Sequence, residues 1–288
     1  VWSARTESLV KARPLLDGYI AWIQALAYNP GGTRIAVGVG GADDDDDNAD
    51  GGDDDDGNNG DQGAIKPNRL LKSKPLEDQG GRRDFAFDRD TLLRDKRPKL
   101  SGGWFVLDEK DLSIVFRARD SLSSVTCIRF SPDGEVLAVG SQDGQIYLYN
   151  AKSNDYNVLG RCTGLQGPCT HLDFDRNSQV LQTNSSYTKS DQAKVGSTSA
   201  MSDEEEVIGE ILWYDCRTGE PKLSPEKLAD TAWGDETGHA WTCVLGWPVQ
   251  AAWRSDLERI RLTSVAWRSG LPFGVFGDDT GRVVVYPW

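Results

Sequence analysis

The stretch that decides the fold is residues 125–150, which read VTCIRFSPDGEVLAVGSQDGQIYLYN. Three short runs rich in β-branched and aromatic residues alternate with two turn sequences, Ser131-Pro132-Asp133-Gly134 and Ser141-Gln142-Asp143-Gly144. Such Pro-, Asp- and Gly-rich tetrapeptides are typical of tight connections between strands. The pattern therefore predicts three consecutive antiparallel strands.

The same pattern recurs at three other places in the chain. The four copies align without gaps over sixteen positions, and they begin at Ile23, Val125, Cys169 and Leu262. An aromatic residue occupies the sixth position of every copy: Tyr28, Phe130, Phe174 and Trp267. A small residue occupies the last position: Gly38, Gly140, Asn184 and Gly277. The second and third copies start 44 residues apart, a spacing typical of WD40 repeats.

A sheet of three or four short strands is too small to bury both of its faces alone, and stacking copies around an axis solves that problem. We therefore predict an all-β fold, a WD40 β-propeller fragment of about four blades, and we expect the other blades of the ring outside this sequence. The expected segments are the end of a preceding blade (1–22), three blades (23–119, 120–167 and 168–261) and an incomplete blade (262–288).

Two inserts interrupt the repeat, at 42–101 in the first blade and at 187–208 in the third. The first insert starts with an Asp tract of eleven residues, ten within 43–56 and then Asp61; without them the formal net charge of −13 becomes −2. Residues 66–99 are basic, with eleven Lys and Arg against six Asp and Glu. Such polar segments bury little apolar surface, so we predict that both inserts are disordered. They interrupt the same repeated turn, which places them on one face of a propeller, where partners bind.

Several function classes are excluded by what the sequence lacks. The sequence contains no run of 18 apolar residues, so it predicts no transmembrane helix, and the first residues do not have the pattern of a signal peptide. The five cysteines are scattered without a C-x-x-C pair, which favours reduced thiols and gives no zinc spacing. Residues 46–51 match the first half of an EF-hand loop, but Gly57 stands where its last ligand belongs, so a solvated Asp run is favoured over loose Ca²⁺ association and we predict no metal site. No P-loop or dinucleotide-binding motif occurs, so we predict no cofactor.

Catalysis is also disfavoured by the sequence. His171 and Asp173 lie two apart on a predicted strand, where a general base is conceivable, but no nucleophile motif accompanies them and a structural histidine is the favoured interpretation. We therefore predict that the chain is not an enzyme. Ser202 precedes four acidic residues, a pattern that an acidophilic kinase could recognise.

The run Gly209-Glu210-Ile211-Leu212-Trp213-Tyr214-Asp215 and the later block Thr242-Cys243-Val244-Leu245-Gly246-Trp247-Pro248 carry a more specific signal. Together they resemble part of the second propeller of the echinoderm microtubule-associated protein-like (EML) family, and we define residues 228–253 as the family-specific segment. Two departures stand out: residues 235–239 intrude before Trp241, and Ala251-Ala252-Trp253 replaces the expected G-x-W-P. The resemblance implies association with tubulin and microtubules in the cytoplasm and cytoskeleton, with the cilium or axoneme as further locations.

The basic arm, which we define as residues 66–99, is the first candidate for partner binding. Its candidate residues are Arg82, Arg83, Arg94, Lys96, Arg97 and Lys99. Nucleic acid is disfavoured because the adjacent Asp tract repels phosphates and no nucleic-acid motif is present. The acidic tails of tubulin fit the family resemblance, and a solvated mixed-charge loop is the alternative.

Trp241 and Trp247 are the second candidate, as part of a partner surface, although large aromatic residues also fill cores. Core packing is the favoured role of four other tryptophans: Trp213, Trp233, Trp253 and Trp267. The predicted function is a non-enzymatic protein-binding platform associated with microtubules, without nucleic-acid or membrane partners. The alternative is a WD40 scaffold in a signalling or ciliary complex that does not contact tubulin directly.

Overall fold

The structure of the chain is a computed structural model, which describes residues 2–3, 8–9, 12, 14–15, 21–41, 101–188, 207–222, 225–228, 231–233, 242–246, 262–267 and 273–287. Strands dominate these residues, and the single helical element among them is a 3-10 turn at Pro225–Leu228. Across the described ranges, no helix has both the length and the apolar character that a membrane span requires. The prediction of an all-β fold is confirmed.

Four antiparallel sheets carry the four repeat copies, and each sheet keeps its strands in chain order. Sheet one consists of β3 (Trp22–Tyr28), β4 (Arg34–Gly40), β5 (Gly103–Asp108) and β6 (Ile114–Arg119). Sheet two consists of β7 (Val125–Phe130), β8 (Val136–Ser141), β9 (Ile146–Asn150) and β10 (Val158–Cys162). Sheet three consists of β11 (Cys169–Phe174), β12 (Val180–Thr188) and β13 (Val207–Asp215). Sheet four consists of β14 (Leu262–Trp267), β15 (Phe273–Asp278) and β16 (Val283–Pro287). A separate pair is formed by β1 (Trp2–Ser3) and β2 (Ser8–Leu9).

The four sheets share one register between their first and second strands. The aromatic residue at the sixth repeat position ends the first strand in every sheet and faces the residue seven positions later: Tyr28↔Ile35, Phe130↔Leu137, Phe174↔Leu181 and Trp267↔Gly274. A β-bulge follows the first repeat position in every sheet as well. The four aromatic residues therefore occupy equivalent places, as the gapless alignment predicts.

Apolar cores fill the spaces between consecutive sheets. Between sheets one and two, Trp104 and Val106 pack with Ile128, Phe130 and other buried residues. Between sheets two and three, a second core is built by buried side chains of both sheets: Val136, Ala138, Ile146, Leu148, Cys162, Cys169, Leu172, Phe174, Leu181, Tyr214 and Cys216. A third core joins Val180 of sheet three to Val265 and Phe276 of sheet four through Trp233 and Cys243. Small sheets that cover one another in this way are propeller blades, so the prediction of a propeller fragment with four repeat-bearing sheets is confirmed.

Two sheet faces keep apolar side chains exposed to solvent. On sheet one, the exposed residues on β3 include Leu26 and Tyr28. On sheet four, Val283 and Val285 of β16 are exposed on the face opposite to the buried Phe276.

Candidate partner-binding surface

The predicted partner-binding residues lie outside the described residues. These are Arg82, Arg83, Arg94, Lys96, Arg97 and Lys99 of the basic arm, together with Trp241 and Trp247. The Asp tract and Ser202 lie outside them too. The structure does describe the strands from which both inserts leave and the five residues between the two tryptophans. The candidate surface is therefore built from these supporting residues.

The two ends of the first insert are held together beside the start of sheet two. A Cβ atom placed on Gly41 would lie 3.2 Å from Cβ of Ser101, so the chain leaves and returns at neighbouring points. The Ser101 hydroxyl lies 3.2 Å from that of Ser124, and Nε of Arg119 donates a 2.8 Å hydrogen bond to the Ser101 carbonyl. These contacts fix the base of the insert on a rigid part of the fold.

Gly102 is required at this base for two reasons. Its φ of 74° lies in the left-handed region that L-residues with side chains rarely adopt. A Cβ atom there would also overlap the Ser121 carbonyl oxygen. The return of the insert into β5 is thus packed directly against the backbone that connects β6 to β7.

The second insert leaves sheet three at the corresponding connection, between its second and third strands. Glu210 of β13 organises the base of this insert. Its Oε2 accepts a 2.9 Å hydrogen bond from the Gln166 backbone N–H and a 2.8 Å hydrogen bond from the Ser185 hydroxyl. The loop from β10 to β11 is thereby tied to the strand that follows the insert.

Both inserts replace the connection that is a tight turn in sheets two and four. In an antiparallel sheet, this second-to-third-strand connection lies at the end where the first strand begins. Gly38 of sheet one lies against Val125 of sheet two, and Gly140 of sheet two lies against Cys169 of sheet three, so the first strands of successive sheets begin side by side. The inserts of sheets one and three therefore leave from the same end of the stacked sheets.

The block Thr242–Gly246 is docked on sheet three by the buried carboxylate of Asp173. Asp173 Oδ2 accepts hydrogen bonds from the Thr242 and Cys243 backbone N–H groups at 2.8 and 2.7 Å, and Oδ1 accepts one from the Thr242 hydroxyl at 3.0 Å. On its other side, Asp173 forms a 2.6 Å ion pair with Nη1 of Arg129 in sheet two. One side chain thus links two sheets and the docked block.

Two buried amides on β12 hold the remainder of the block. Nε2 of Gln182 donates a 3.1 Å hydrogen bond to the Leu245 carbonyl, and Oδ1 of Asn184 accepts a 2.9 Å hydrogen bond from the Leu245 N–H. Oε1 of Gln182 also accepts a hydrogen bond from Nε1 of Trp213 at 2.9 Å. These amides satisfy backbone groups that have no strand partner, which a buried segment needs. We call the set of Asp173, Gln182 and Asn184 the polar clasp.

The direction of the docked block brings it to the end that bears the inserts. Thr242, the first residue of the block, binds Asp173, which lies near the end of β11. Leu245 binds Asn184, whose strand partner His171 lies nearer the start of β11. The Leu245 side chain approaches Gly209, which lies close to the second insert. The docked block therefore has its last described residue, Gly246, beside the base of that insert.

Burial shifts the pKa values of two groups near the polar clasp, His171 and Cys243. Burial lowers the pKa of His171 from its ordinary value, Asp173 opposes this shift, and Arg129 adds to it. Burial also raises the pKa of the Cys243 thiol, so His171 is neutral and Cys243 is protonated near neutral pH. Within the described ranges, no three His, Cys, Asp or Glu side chains are grouped so that they could hold a metal ion.

Comparison with known proteins identifies the type of repeat. Residues 113–150 match the family model "WD domain, G-beta repeat". Over 191 residues, the chain is 29% identical to human echinoderm microtubule-associated protein-like 1 and 33% identical to Xenopus laevis echinoderm microtubule-associated protein-like 4. It is 28% identical over 188 residues to the 77 kDa echinoderm microtubule-associated protein of Lytechinus variegatus. The chain carries an EML-like WD40 region.

The alignments cover 65–66% of the chain and only 20%, 18% and 24% of those three relatives. The EML-like region thus corresponds to about a fifth of the length of these proteins. Among solved structures, the designed Ika4 protein has a TM-score of 0.41 at 14% identity, with 95% of both chains covered. Chaetomium thermophilum Sqt1 bound to the N-terminus of ribosomal protein L10 has a TM-score of 0.41 at 12% identity, with 92% of this chain and 43% of that chain covered. These distant likenesses carry no information about partners.

The polar clasp is the part of the candidate surface that sequence reasoning missed. The block Thr242–Gly246 was singled out by its resemblance, but the residues that hold it are 69 positions away for Asp173 and 63 for Gln182. One signal was available. Polar residues at the positions of Gln182 and Asn184 replace the apolar and glycine residues Ala138 and Gly140 of the second repeat.

Proposed function

We propose that this EML-like region is a non-enzymatic protein-binding platform that associates with tubulin and microtubules. The observation that carries the proposal is its similarity to proteins whose names describe them as microtubule-associated. The anchored insert bases support it, because rigid blades that present long loops at one end suit binding rather than chemical turnover. The expected location is the cytoplasm and cytoskeleton, with the cilium or axoneme as further sites.

The basic arm is proposed as the contact with tubulin. Its six candidate residues are Arg82, Arg83, Arg94, Lys96, Arg97 and Lys99. The acidic tails of tubulin are polyanions, so the attraction would be electrostatic and weakened by salt. The Asp tract ahead of the arm would shield it in the free protein, since opposite charges on one insert attract each other.

Co-sedimentation with purified microtubules tests the arm. A variant lacking residues 64–100 is compared with the full chain at about 50 and 150 mM salt, where electrostatic contacts differ in strength. The deletion is expected to weaken binding mainly at low salt. A deletion of residues 189–206, the part of the second insert that lies between β12 and β13, is the control and keeps the arm. Unchanged binding of the first deletion would remove the arm from the proposal.

Trp241 and Trp247 are proposed as a second contact, because they flank a block that the polar clasp anchors on sheet three and that runs towards the insert-bearing end. Substituting both with alanine is expected to weaken microtubule binding several-fold, as for aromatic residues at interface centres. The urea midpoint of the variant is measured alongside. A large fall in stability without a specific loss of binding would indicate that these tryptophans belong to a core.

The second candidate function is a WD40 scaffold in a signalling or ciliary complex without direct tubulin contact. The match to a WD repeat supports a protein-interaction role without naming the partner. Direct pelleting with purified microtubules separates the candidates, because a scaffold of this kind would stay in the supernatant. In either case we propose segments 23–119, 120–167 and 168–261 as blades, with 262–288 as part of a further blade.

A further inference from the structure

Cys127 and Cys169 bring two thiols into contact across the boundary between sheets two and three. Their Sγ atoms are 3.4 Å apart, although the residues are 42 positions apart in the chain. Gly140 lies beside both sulfurs: a Cβ atom there would overlap Sγ of Cys127 and lie 2.8 Å from Sγ of Cys169. The absence of a side chain at Gly140 therefore leaves the space in which the thiols meet.

The propeller repeat itself creates this contact. Cys169 is the first repeat position of sheet three, and Cys127 is the third repeat position of sheet two. They meet beside Gly140, the last position of the repeat in sheet two. Between sheets one and two, the same three places are occupied by Val125, Ala25 and Gly38. The thiol pair thus occupies a regular inter-sheet position that both adjacent repeats fill with cysteine.

The two thiols differ in their access to solvent. Cys127 is partly exposed, whereas Cys169 is fully buried. Its hydrogen bond with Cys127 and its burial raise the pKa of Cys169, so that thiol keeps its proton near neutral pH. A small oxidant therefore meets Cys127 first, with Cys169 held next to it as a resolving thiol.

We propose that Cys127 and Cys169 form a reversible disulfide between sheets two and three when the chain meets hydrogen peroxide. In the first step, the Cys127 sulfur attacks the peroxide, the O–O bond breaks, and one water leaves to give a sulfenic acid. In the second step, the Cys169 sulfur attacks the sulfenyl sulfur of Cys127. The departing hydroxide takes the Cys169 proton and leaves as a second water, so one peroxide oxidises two thiols.

The disulfide would join β7 and β11, the first strands of neighbouring sheets. Cross-linking them closes a loop of about 40 residues and reduces the freedom of the unfolded chain. The oxidised chain is therefore expected to melt about 5–10 °C higher than the reduced chain, and the shift is expected to reverse on addition of a dithiol reductant.

Peptide mapping of the full chain tests the proposal. Reduced protein is treated with hydrogen peroxide, its remaining thiols are blocked with N-ethylmaleimide in denaturant, and non-reduced peptides are analysed by mass spectrometry. The expected product links the peptides of Cys127 and Cys169 and leaves the other three of the five cysteines alkylated. Five alkylated cysteines, a link between other residues, or terminal over-oxidation of Cys127 without a link would each overturn the proposal.

Two variants and one control sharpen this test. Cys127→Ser and Cys169→Ser are each expected to abolish the link, whereas Cys216→Ser, a buried cysteine at a different place between the same sheets, is expected to keep it. Circular dichroism and the urea midpoint show whether each variant is folded. The melting shift of the unmutated chain and its reversal provide a readout that does not depend on any variant, and an oxidised chain with an unchanged melting midpoint would also count against the proposal.

Discussion

Asp173 connects more of the molecule than any other described side chain of the candidate surface. Its carboxylate meets Arg129 of sheet two and three donors from Thr242 and Cys243, and it is almost completely buried. A buried charge is tolerated when it is paired and its lone pairs are occupied, and both conditions hold here. In the polar clasp, the hydrogen bonds and the ion pair of Asp173 replace the water that its carboxylate loses on burial, and the same contacts hold the docked block in place.

Asp173→Asn is expected to lower the free energy of unfolding by about 2–4 kcal/mol, because the buried ion pair with Arg129 is lost and the new amide hydrogens face backbone donors. Urea unfolding measures this change. The matched control is Asp133→Asn, which removes an ion pair with the half-exposed Arg217 and is expected to cost less than about 1 kcal/mol. Equal losses in the two variants would contradict the special role of Asp173.

His171 makes stability depend on pH in a definite direction. Because burial lowers the pKa of His171 in the folded state, the unfolded chain takes up its proton at higher pH than the folded chain does. The contribution of His171 to the free energy of unfolding is therefore fully present above its ordinary pKa of 6.5. This contribution is lost as the pH decreases through 6.5 towards the lowered pKa of the folded state.

His171→Gln is expected to reduce the dependence of the urea midpoint on pH between about pH 7 and pH 5.5, the range in which histidine ordinarily titrates. His239→Gln serves as the matched control, since His239 is the other histidine of the chain. If the slope disappears in the His239 variant and persists in the His171 variant, the assignment of the effect to His171 is wrong.

At the scale of the element, close approach between sheets depends on the small residue that ends each repeat. Gly38 and Gly140 both lie where a Cβ atom would overlap a side chain, and the side chains involved include the first residue of the next sheet. The bulge after the first repeat position recurs in all four sheets, so the same local geometry is repeated. Glycine at the sixteenth position of the first and second repeats therefore has a packing role, because a side chain there would collide with the next sheet.

Gly140→Ala is expected to destabilise the chain by about 1–3 kcal/mol, because the new methyl group overpacks the contact between Cys127 and Cys169. Gly31→Ala is the matched control: its nearest neighbour would lie 3.7 Å away, an ordinary contact, and a change within about 0.5 kcal/mol is expected. Thermal or urea unfolding of both variants decides. A neutral Gly140→Ala would mean that the sheets can move apart without loss.

For the whole molecule, the decisive property is which sheet faces are covered. Sheets one, two and three cover one another in sequence, and sheet four joins sheet three through Trp233 and the docked block. Leu26 of sheet one and Val283 of sheet four remain 64% and 74% exposed. Substitutions on the two faces of sheet four should therefore have unequal effects.

Val265→Thr places a hydroxyl in the core between sheets three and four, where Val265 is 7% exposed, and should cost about 1–2 kcal/mol. Val283→Thr makes the same chemical change on the exposed face and should stay within about 0.5 kcal/mol. Both substitutions keep a β-branched residue in a strand, so urea midpoints compare burial directly. The reverse order of effects would show that sheet four packs with its other face.

Much of the fold could be predicted from the sequence because its signals are local. The sixteen-position alignment placed Tyr28, Phe130, Phe174 and Trp267 in equivalent strands, and the turn residues of 131–134 and 141–144 marked the ends of strands. The resemblance of Thr242–Gly246 was also visible in the chain. The candidate residues of the basic arm and the tryptophan pair remain predictions, to be decided by the binding experiments.

The sequence by itself determined where the strands and turns of each repeat lie and which positions of the four copies are equivalent, since these features are marked by residues a few positions apart within one repeat. Only the tertiary structure decided that Asp173 holds Thr242, that Cys127 meets Cys169, and that Val265 is covered while Val283 is exposed. These contacts join residues about 40 to 70 positions apart. Stacking of the sheets brings such residues together, and side-chain volume and hydrogen-bond geometry at the boundary select them, which a local pattern of polar and apolar residues does not encode.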